Sequence, residues 1–258
     1  MQLRRGARGF TLTELAVVFA IVALLIGGAM ATLSAQVDQR NLDETRRRLD
    51  AAVEAVLGFA IVNRRLPCPA SAGTTGDEAP AGGGTCTTNF SGFLPARTIG
   101  FQPSDAQGYG LDVWGNRIRY AVATGITGCT GGATLPHFTS MANLRANGVS
   151  CRPNNLLVCA SSTGITEGAT PSCGAATNQV TGTEVVAFVA YSTGKNGSVV
   201  PGYGADETEN VNNNAAGAVF VSRLPGTIET TTGSYDDVMV WVPVGVLYSR
   251  LIAAGVLP

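Results

Sequence analysis

The feature that most constrains this chain is an apolar run near its N-terminus, residues 10–33, which follows an arginine-rich segment. Apart from three threonines and one acid, Glu14, every residue of the run is apolar or glycine. As a helix the run would extend roughly 36 Å, enough to cross a hydrocarbon core of about 30 Å with some tilt. The sequence therefore predicts a transmembrane helix over residues 10–33. Burying an acid in lipid is costly, so Glu14 is expected to have a functional role.

An ordinary secretory signal and a plain signal anchor are the two alternative explanations of this N-terminus. A secretory signal has an apolar stretch of about 7–15 residues, which is shorter than this run. A signal anchor accounts for the length and the arginines, but it gives no role to Glu14 or to the Gly9–Phe10 junction. Three arginines precede the span, which predicts a cytoplasmic N-terminus and places the rest of the chain on the other side of the membrane.

Helical character continues beyond the span, over residues 34–63. Apolar residues recur every seventh position there, and others at helical spacing widen the stripe. The stripe consists of Leu42, Leu49, Val53, Val56, Leu57 and Ala60. Pro67 and Pro69 cannot continue a helical hydrogen-bond ladder, so we expect one helix that ends near Asn63, with an amphipathic second half.

The junction between leader and run resembles the class III signal of type IV prepilins and pseudopilins. The matching residues are Gly9, Phe10, Thr11, Leu12 and Glu14. The resemblance implies that residues 1–9 are a leader, that prepilin peptidase cuts between Gly9 and Phe10, and that the new amino group of Phe10 is methylated. It also implies that Glu14 pairs with the methylated amine of a neighbouring subunit. The implied partners are other pilin or pseudopilin subunits and an inner-membrane assembly platform.

Beyond the helix, residues 64–258 are predicted to form a globular head in the periplasm or outside the cell. Short apolar segments alternate there with loops rich in Gly, Thr and Ser, and turn clusters between them favour antiparallel pairing. The segments with strand character are Arg117–Ala123, Leu156–Ala160, Glu184–Tyr191, Ala218–Val221 and Val238–Val242, and Val244–Ala254 has helical spacing. The predicted fold class is α+β: a long N-terminal α-helix, half transmembrane and half amphipathic, packed on an antiparallel β-sheet with disulfide-stapled loops.

The cysteines all fall in the predicted head. They are Cys68, Cys86, Cys129, Cys151, Cys159 and Cys173. No pair has the spacing of a zinc site, and oxidation is expected outside the cytoplasm, so we predict disulfides. Six cysteines allow 15 connectivities. Sequential pairing closes short loops and is the predicted arrangement.

Composition argues against nucleic-acid binding and against catalysis. The 17 basic and 18 acidic residues nearly cancel, which disfavours a general electrostatic affinity for nucleic acid. The single histidine, His137, has no evident partner for a nucleophile–base pair, and its loop context predicts a surface position. We therefore expect a structural protein rather than an enzyme.

Two segments of the head resemble parts of major pseudopilins from type II secretion. Asp112–Tyr120 is similar to an Asp-x-Trp-Gly-Asn…Tyr segment, in which Asp112 would cap a turn, Gly115 and Asn116 would take positive φ, and Trp114 would pack on the core. Tyr191–Gly197 resembles the segment that opens a calcium-binding loop, although Asn196 stands where the family usually has aspartate. The resemblance implies a calcium site, and a solvated loop is the alternative.

The calcium ligands that this resemblance suggests are Asn196, Asp206 and Asp236, and no other cofactor is expected. Together these features predict a structural subunit of a type IV pilus or a type II secretion pseudopilus, held in the inner membrane before assembly. Two alternatives remain: a minor pilin with a ligand- or DNA-binding head, and a membrane-anchored binding domain.

Overall fold

The structure is a computed structural model that describes residues 11–73, 75–129, 134–168, 170–197, 204–211, 218–225, 227–229 and 233–257. Contacts divide the chain into two units, Met1–Asp43 and Glu44–Pro258, and each is described by itself. The predicted cleavage residues Gly9 and Phe10 lie outside the described residues.

The described part of the first unit contains the beginning of a long helix, α1, which runs over Leu12–Asn63. Its apolar side chains between Leu12 and Ile26 are exposed. Searched over the described residues, no helix has a stretch that is both long and apolar enough to be a candidate membrane span. The transmembrane segment over residues 10–33 therefore stays a prediction.

In the second unit, α1 buries one face. Thr45, Leu49, Ala52, Val56 and Ala60 are fully buried and recur at steps of three or four residues, the spacing of one helix face. This is the predicted stripe, with Ala52 and Thr45 added and Val53 half-buried. The helix ends at Asn63 as predicted.

Within the described residues, the main sheet has four strands, which are β1 (Gly92–Phe93), β2 (Arg119–Val122), β6 (Val186–Ser192) and β10 (Val238–Pro243). They lie in the order β1-β2-β6-β10, and every neighbouring pair is antiparallel. The strand β6 is buried along its whole length, as expected for a strand with a neighbour on each side and both faces covered. The predicted α+β class with an antiparallel sheet is confirmed.

The described part of the head also contains three two-stranded pairs. They are β3 (Ile126–Thr127) with β4 (Arg152–Pro153), β5 (Leu157–Cys159) with β7 (Val219–Val221), and β8 (Thr227–Glu229) with β9 (Gly233–Tyr235). The β5–β7 pair is parallel, which departs from the antiparallel pairing that the turn clusters favour. Parallel neighbours need a long connection, and here the chain passes through β6 and a helix before it returns.

Short helices complete the head. They are α2 (Ala96–Ile99), α3 (Met141–Asn147), α4 (Ala205–Val211) and α5 (Val244–Ala253), with 3₁₀ turns at Gly148–Ser150 and Ala176–Asn178. The helix α5 matches the predicted C-terminal helix, and it buries Leu247 and Leu251 on one face.

Three disulfides close the loops of the head in sequential order: Cys68–Cys86, Cys129–Cys151 and Cys159–Cys173. The predicted pairing is thus present. Each loop is short, and a cross-link of this kind stabilises by about 2–4 kcal/mol, mainly through the unfolded chain.

His137 is fully buried, so the predicted surface position is wrong. Its imidazole lies between two polar side chains, with Nε2 2.8 Å from the hydroxyl of Tyr248 and Nδ1 3.1 Å from the amide nitrogen of Asn147. The ring also packs edge-on against Phe138. A Pro/Thr-rich sequence around His137 gave no sign of these partners, since Tyr248 lies on the distant helix α5.

Candidate functional site

At the start of the described N-terminal segment, Thr11 and Glu14 form hydrogen bonds with each other in both directions. The backbone N–H and the hydroxyl of Thr11 both donate to Glu14 Oε2, at 2.9 and 2.8 Å. In return, the backbone N–H of Glu14 donates to Thr11 Oγ1 at 3.3 Å. This arrangement is a capping box, which satisfies backbone N–H groups that have no partner inside the helix. Glu14 therefore has a local role at the start of α1, and both side chains are exposed.

A second site is a cluster of three carboxylates in the head, Glu207, Asp236 and Asp237, whose oxygens lie within 4.8 Å of one another. We call it the carboxylate cluster. Glu207 projects from α4, whereas the two aspartates precede β10. The backbone N–H of Asp236 donates to Glu207 Oε1 at 2.6 Å, which brings the two segments together. Glu207 and Asp237 are almost completely buried.

The loop after β6 forms the remaining wall of the carboxylate cluster. The backbone N–H of Asn196 donates to Asp236 Oδ2 at 3.1 Å, and its side-chain amide donates to Glu207 Oε2 at 2.9 Å. Gly194 has φ +67° and packs so closely that a Cβ built on it would lie 2.0 Å from Asp236 Oδ1. Only glycine suits both the left-handed conformation and this approach.

Electrostatic crowding marks the cluster as unusual for a structural site. Burial raises the pKa of Asp236 to about 7, and the neighbouring charge of Glu207 adds to the effect. Burial also raises the pKa of Asp237 well above its usual range, with hydrogen bonding from Asn210 opposing the shift. Carboxylates held this close favour a proton or a bound cation, because either one relieves their mutual repulsion.

The cluster fits a calcium ion by the chemistry of its oxygens. Asp236 Oδ1, Asp237 Oδ1 and Asn196 Oδ1 are buried and accept no hydrogen bond within the described part of the chain. Buried polar atoms normally have a partner. Carboxylate and amide oxygens are ligands that calcium prefers. Glu207, Asp236, Asp237 and Asn196 are therefore the residues that could hold the ion.

The structure brings two of the three predicted calcium ligands together and separates the third from them. Asn196 and Asp236 come together as predicted, but Asp206 does not join them. Its carboxylate accepts hydrogen bonds from the N–H and hydroxyl of Ser162, both at 2.7 Å, and pairs with Arg223 at 2.8 Å. Asp206 and Glu207 are adjacent on α4, and adjacent helical residues point about 100° apart, so only one of them can face the cluster.

Glu207 and Asp237 belong to the downstream acids that the sequence offers as possible calcium ligands, but they were not among the three predicted ligands. A partial signal existed, since the sequence places acids together at Asp206–Glu207 and at Asp236–Asp237. Choosing the correct member of each pair requires the orientation of α4 and the register of β10, which a single sequence does not supply.

A protein-family model matches the N-terminal segment of the chain. Residues 4–30 match the model of the prokaryotic N-terminal methylation motif. The chain carries a class III prepilin signal. Searches of curated proteins and of solved structures found no match to the chain.

The prepilin signal supports a protein of the type IV pilin-like and pseudopilin group. The match includes Gly9, Phe10 and Glu14, the residues on which the sequence resemblance was based. It covers most of the predicted leader and the first part of α1, so it does not bear on the carboxylate cluster. Proteins with this signal are structural, which agrees in kind with the expectation of a subunit rather than an enzyme.

Proposed function

We propose that this protein is a structural subunit of a type IV pilus or of a type II secretion pseudopilus. The observation that carries the proposal is the prepilin signal at residues 4–30, with an acid at Glu14. The partners proposed for it are prepilin peptidase, other pilin or pseudopilin subunits, and an inner-membrane assembly platform. Before assembly the chain would lie in the inner membrane, with its N-terminus in the cytoplasm and its head in the periplasm.

Processing is the first step of the proposal. Prepilin peptidase would cut between Gly9 and Phe10, remove residues 1–9 and methylate the amino group of Phe10. Mass spectrometry of the purified N-terminus tests this directly, and we expect a chain that begins with methylated Phe10. Gly9→Val should retain the leader. Gly6→Val changes another leader glycine in the same way, so it should be cleaved normally. A wild-type chain that begins at Met1 contradicts the proposal.

Assembly is the second step, and it would depend on the charge of Glu14. Within a bundle of apolar helices, a lone carboxylate is strongly unfavourable, whereas one that pairs with the amine of a neighbouring subunit is compensated. Such a pair would also set the axial register between subunits. The exposed apolar side chains of α1, from Leu12 to Ile26, would supply the remaining contact surface.

We further propose that the head binds a calcium ion at the carboxylate cluster. The proposal is supported by the three clustered carboxylates and by the unpartnered buried oxygens of Asp236, Asp237 and Asn196. Bound calcium would link α4, the start of β10 and the loop after β6. It would be available in the periplasm or outside the cell, where the head is expected.

Calorimetric titration with calcium, using the full-length protein in detergent, tests the proposed ion. Asp236→Asn removes one ligand charge and should weaken calcium binding at least about tenfold, because affinity depends on the number of charged ligands. Glu209→Gln removes a charge from the same helix outside the cluster, where Glu209 interacts with Glu167. This control should stay close to the wild type. Equal weakening by both changes would contradict a specific site.

A further inference from the structure

Hydrogen bonds, joined by a short stretch of backbone, connect α1 to the carboxylate cluster through the turn at residues 112–116. The first link starts on α1. Arg48 Nη1 donates to the backbone carbonyl of Asp112 at 2.6 Å and to that of Leu111 at 3.4 Å. The side chain of Arg48 also pairs with Glu44 one turn earlier, at 3.5 Å. Arg48 thus attaches the turn to the helix through backbone carbonyls.

The turn itself is held rigid by Asp112, which is buried. Its Oδ1 accepts from the backbone N–H of Asn116 at 2.8 Å, which closes the turn, as the sequence predicted for Asp112. Gly115 has φ +85°, also as predicted, whereas Asn116 is not among the residues with positive φ. The turn therefore has a fixed shape, and Arg48 fixes its position.

The second link runs from the turn to the loop after β6. Asp112 Oδ2 accepts from the hydroxyl of Ser192 at 2.6 Å, and the side-chain amide of Asn116 donates to the carbonyl of Gly194 at 2.6 Å. Ser192 is the last residue of β6, and Gly194 lies against Asp236. The turn therefore holds both the end of the strand and the start of the loop that carries Asn196.

The third link enters the carboxylate cluster. From Gly194 the chain continues to Asn196, which bonds to both Asp236 and Glu207. Within the described residues, Arg48 bonds to Glu44, Leu111 and Asp112 and to neither of these acids. Any effect of Arg48 on the cluster must therefore act through the turn or through long-range charge.

We infer that Arg48 and Asn116 are positioning residues for the cation site, so that calcium binding and the packing of the turn on α1 stabilise each other. The inference rests on the calcium site proposed above. When the ion draws Asn196 and the two acidic segments together, the loop after β6 becomes fixed. The turn then holds Arg48 in one geometry. Coupling between two equilibria is reciprocal. Loosening the turn from α1 must therefore weaken calcium binding to the same extent that loss of calcium loosens the turn.

A consequence follows for a subunit that is assembled through α1. The face of α1 near Arg48 would be most firmly held to the head only where calcium is present, which is on the outer side of the membrane. The calcium concentration around the head would then determine, through the carboxylate cluster, how firmly α1 is held near Arg48.

The test compares two neighbouring arginines on α1. Arg48→Gln removes the link to the turn, whereas Arg47→Gln removes the same charge at an exposed position, where Arg47 pairs with Glu44 on the same helix. Calcium affinity is measured by calorimetry on the full-length protein in detergent. We expect Arg48→Gln to lower the calcium affinity about fivefold or more. Arg47→Gln should leave the calcium affinity within about twofold of the wild-type value. Loss of a positive charge alone would strengthen cation binding, so charge cannot account for a weakening.

Asn116→Ala is the second variant. It removes one hydrogen bond to the loop after β6, so it should also lower the calcium affinity about fivefold. Hydrogen exchange adds a readout that simple destabilisation would not reproduce. Calcium should slow exchange of the α1 amides around residues 45–52 in the wild type and should have no such effect in Asn116→Ala. If Asn116→Ala does not fold, Arg48→Gln still decides the question.

The outcomes separate this inference from the calcium proposal. Calcium binding by the wild type, with Arg48→Gln and Asn116→Ala both within about twofold of it, overturns the coupling and leaves the calcium site standing. Absence of calcium binding by the wild type overturns both. Weakening by Arg48→Gln but not by Arg47→Gln, together with calcium-dependent protection of α1, supports the coupling.

Discussion

His137 is buried in the head, and it should make the stability of the head depend on pH. The hydrogen bonds of the site determine which nitrogen of His137 carries the proton. The amide nitrogen of Asn147 donates to the carbonyl of Thr134 and to His137 Nδ1, so Nδ1 is an acceptor. Nε2 then carries the proton and donates to the hydroxyl of Tyr248, which itself donates to the carbonyl of Cys151. A second proton on Nδ1 would face a donor, so the folded head favours neutral imidazole.

The size of the effect follows from the two pKa values. Burial lowers the pKa of His137 from 6.5 to about 4, so the unfolded chain takes up this proton before the folded head does. Stability is therefore lost as the pH falls from about 6.5 towards 4, and the loss is complete below the folded pKa. Between pH 7.5 and pH 5 the expected loss from this residue is about 2 kcal/mol.

Denaturant unfolding measures this loss of stability. The full-length protein is unfolded in detergent and followed by tryptophan fluorescence, and the wild type is compared with His137→Phe at both pH values. The comparison is needed because the raised pKa values of Asp236 and Asp237 act in the opposite direction, and they are common to both proteins. His137→Phe should be less stable at pH 7.5, yet it should lose about 2 kcal/mol less than the wild type on acidification. Equal losses in the two proteins would refute the argument.

Two further predictions concern stability and the cation site. Arg65 and Glu78 form a buried ion pair with two short contacts, 2.7 and 2.6 Å, so Glu78→Gln should lower the free energy of unfolding by about 3–5 kcal/mol because it leaves a buried charge uncompensated. Asp77→Asn, at the exposed neighbouring position, should cost less than about 1 kcal/mol; similar costs at both positions would contradict this account. Gly194→Ala should abolish calcium binding, because its Cβ would collide with the cluster. Gly100→Ala has similar φ, +71°, but nothing within 4 Å, and calorimetry should find its calcium affinity unchanged.

Local patterns in the sequence were enough to predict the elements whose signals are themselves local. The end of α1 at Asn63 follows from an apolar stripe that stops shortly before two prolines. The buried strand β6 follows from an unbroken apolar segment between turn-forming residues. Short loop closure likewise favoured the sequential disulfides that the structure contains.

Features that depend on contacts between distant segments were not predictable in the same way. The parallel pairing of β5 with β7 requires knowledge of the path of the chain between them. The burial of His137 depends on Tyr248, more than a hundred residues away. At the carboxylate cluster, the sequence predicted that Asn196 and Asp236 come together. It could not choose Glu207 over Asp206, because that choice is made by the rotation of α4.

The double role of Glu14 gives the most direct test of the central proposal, that charge on this residue drives assembly. Glu14→Gln removes the charge but keeps an acceptor for the capping box, since Gln serves at that position as well as Glu. Thr11→Ala removes the side-chain part of the cap and keeps the charge. The measurement is the fraction of each variant that enters filaments, relative to its amount in the membrane. We predict that Glu14→Gln is processed but excluded, whereas Thr11→Ala is incorporated. Incorporation of Glu14→Gln at the wild-type level would contradict the account.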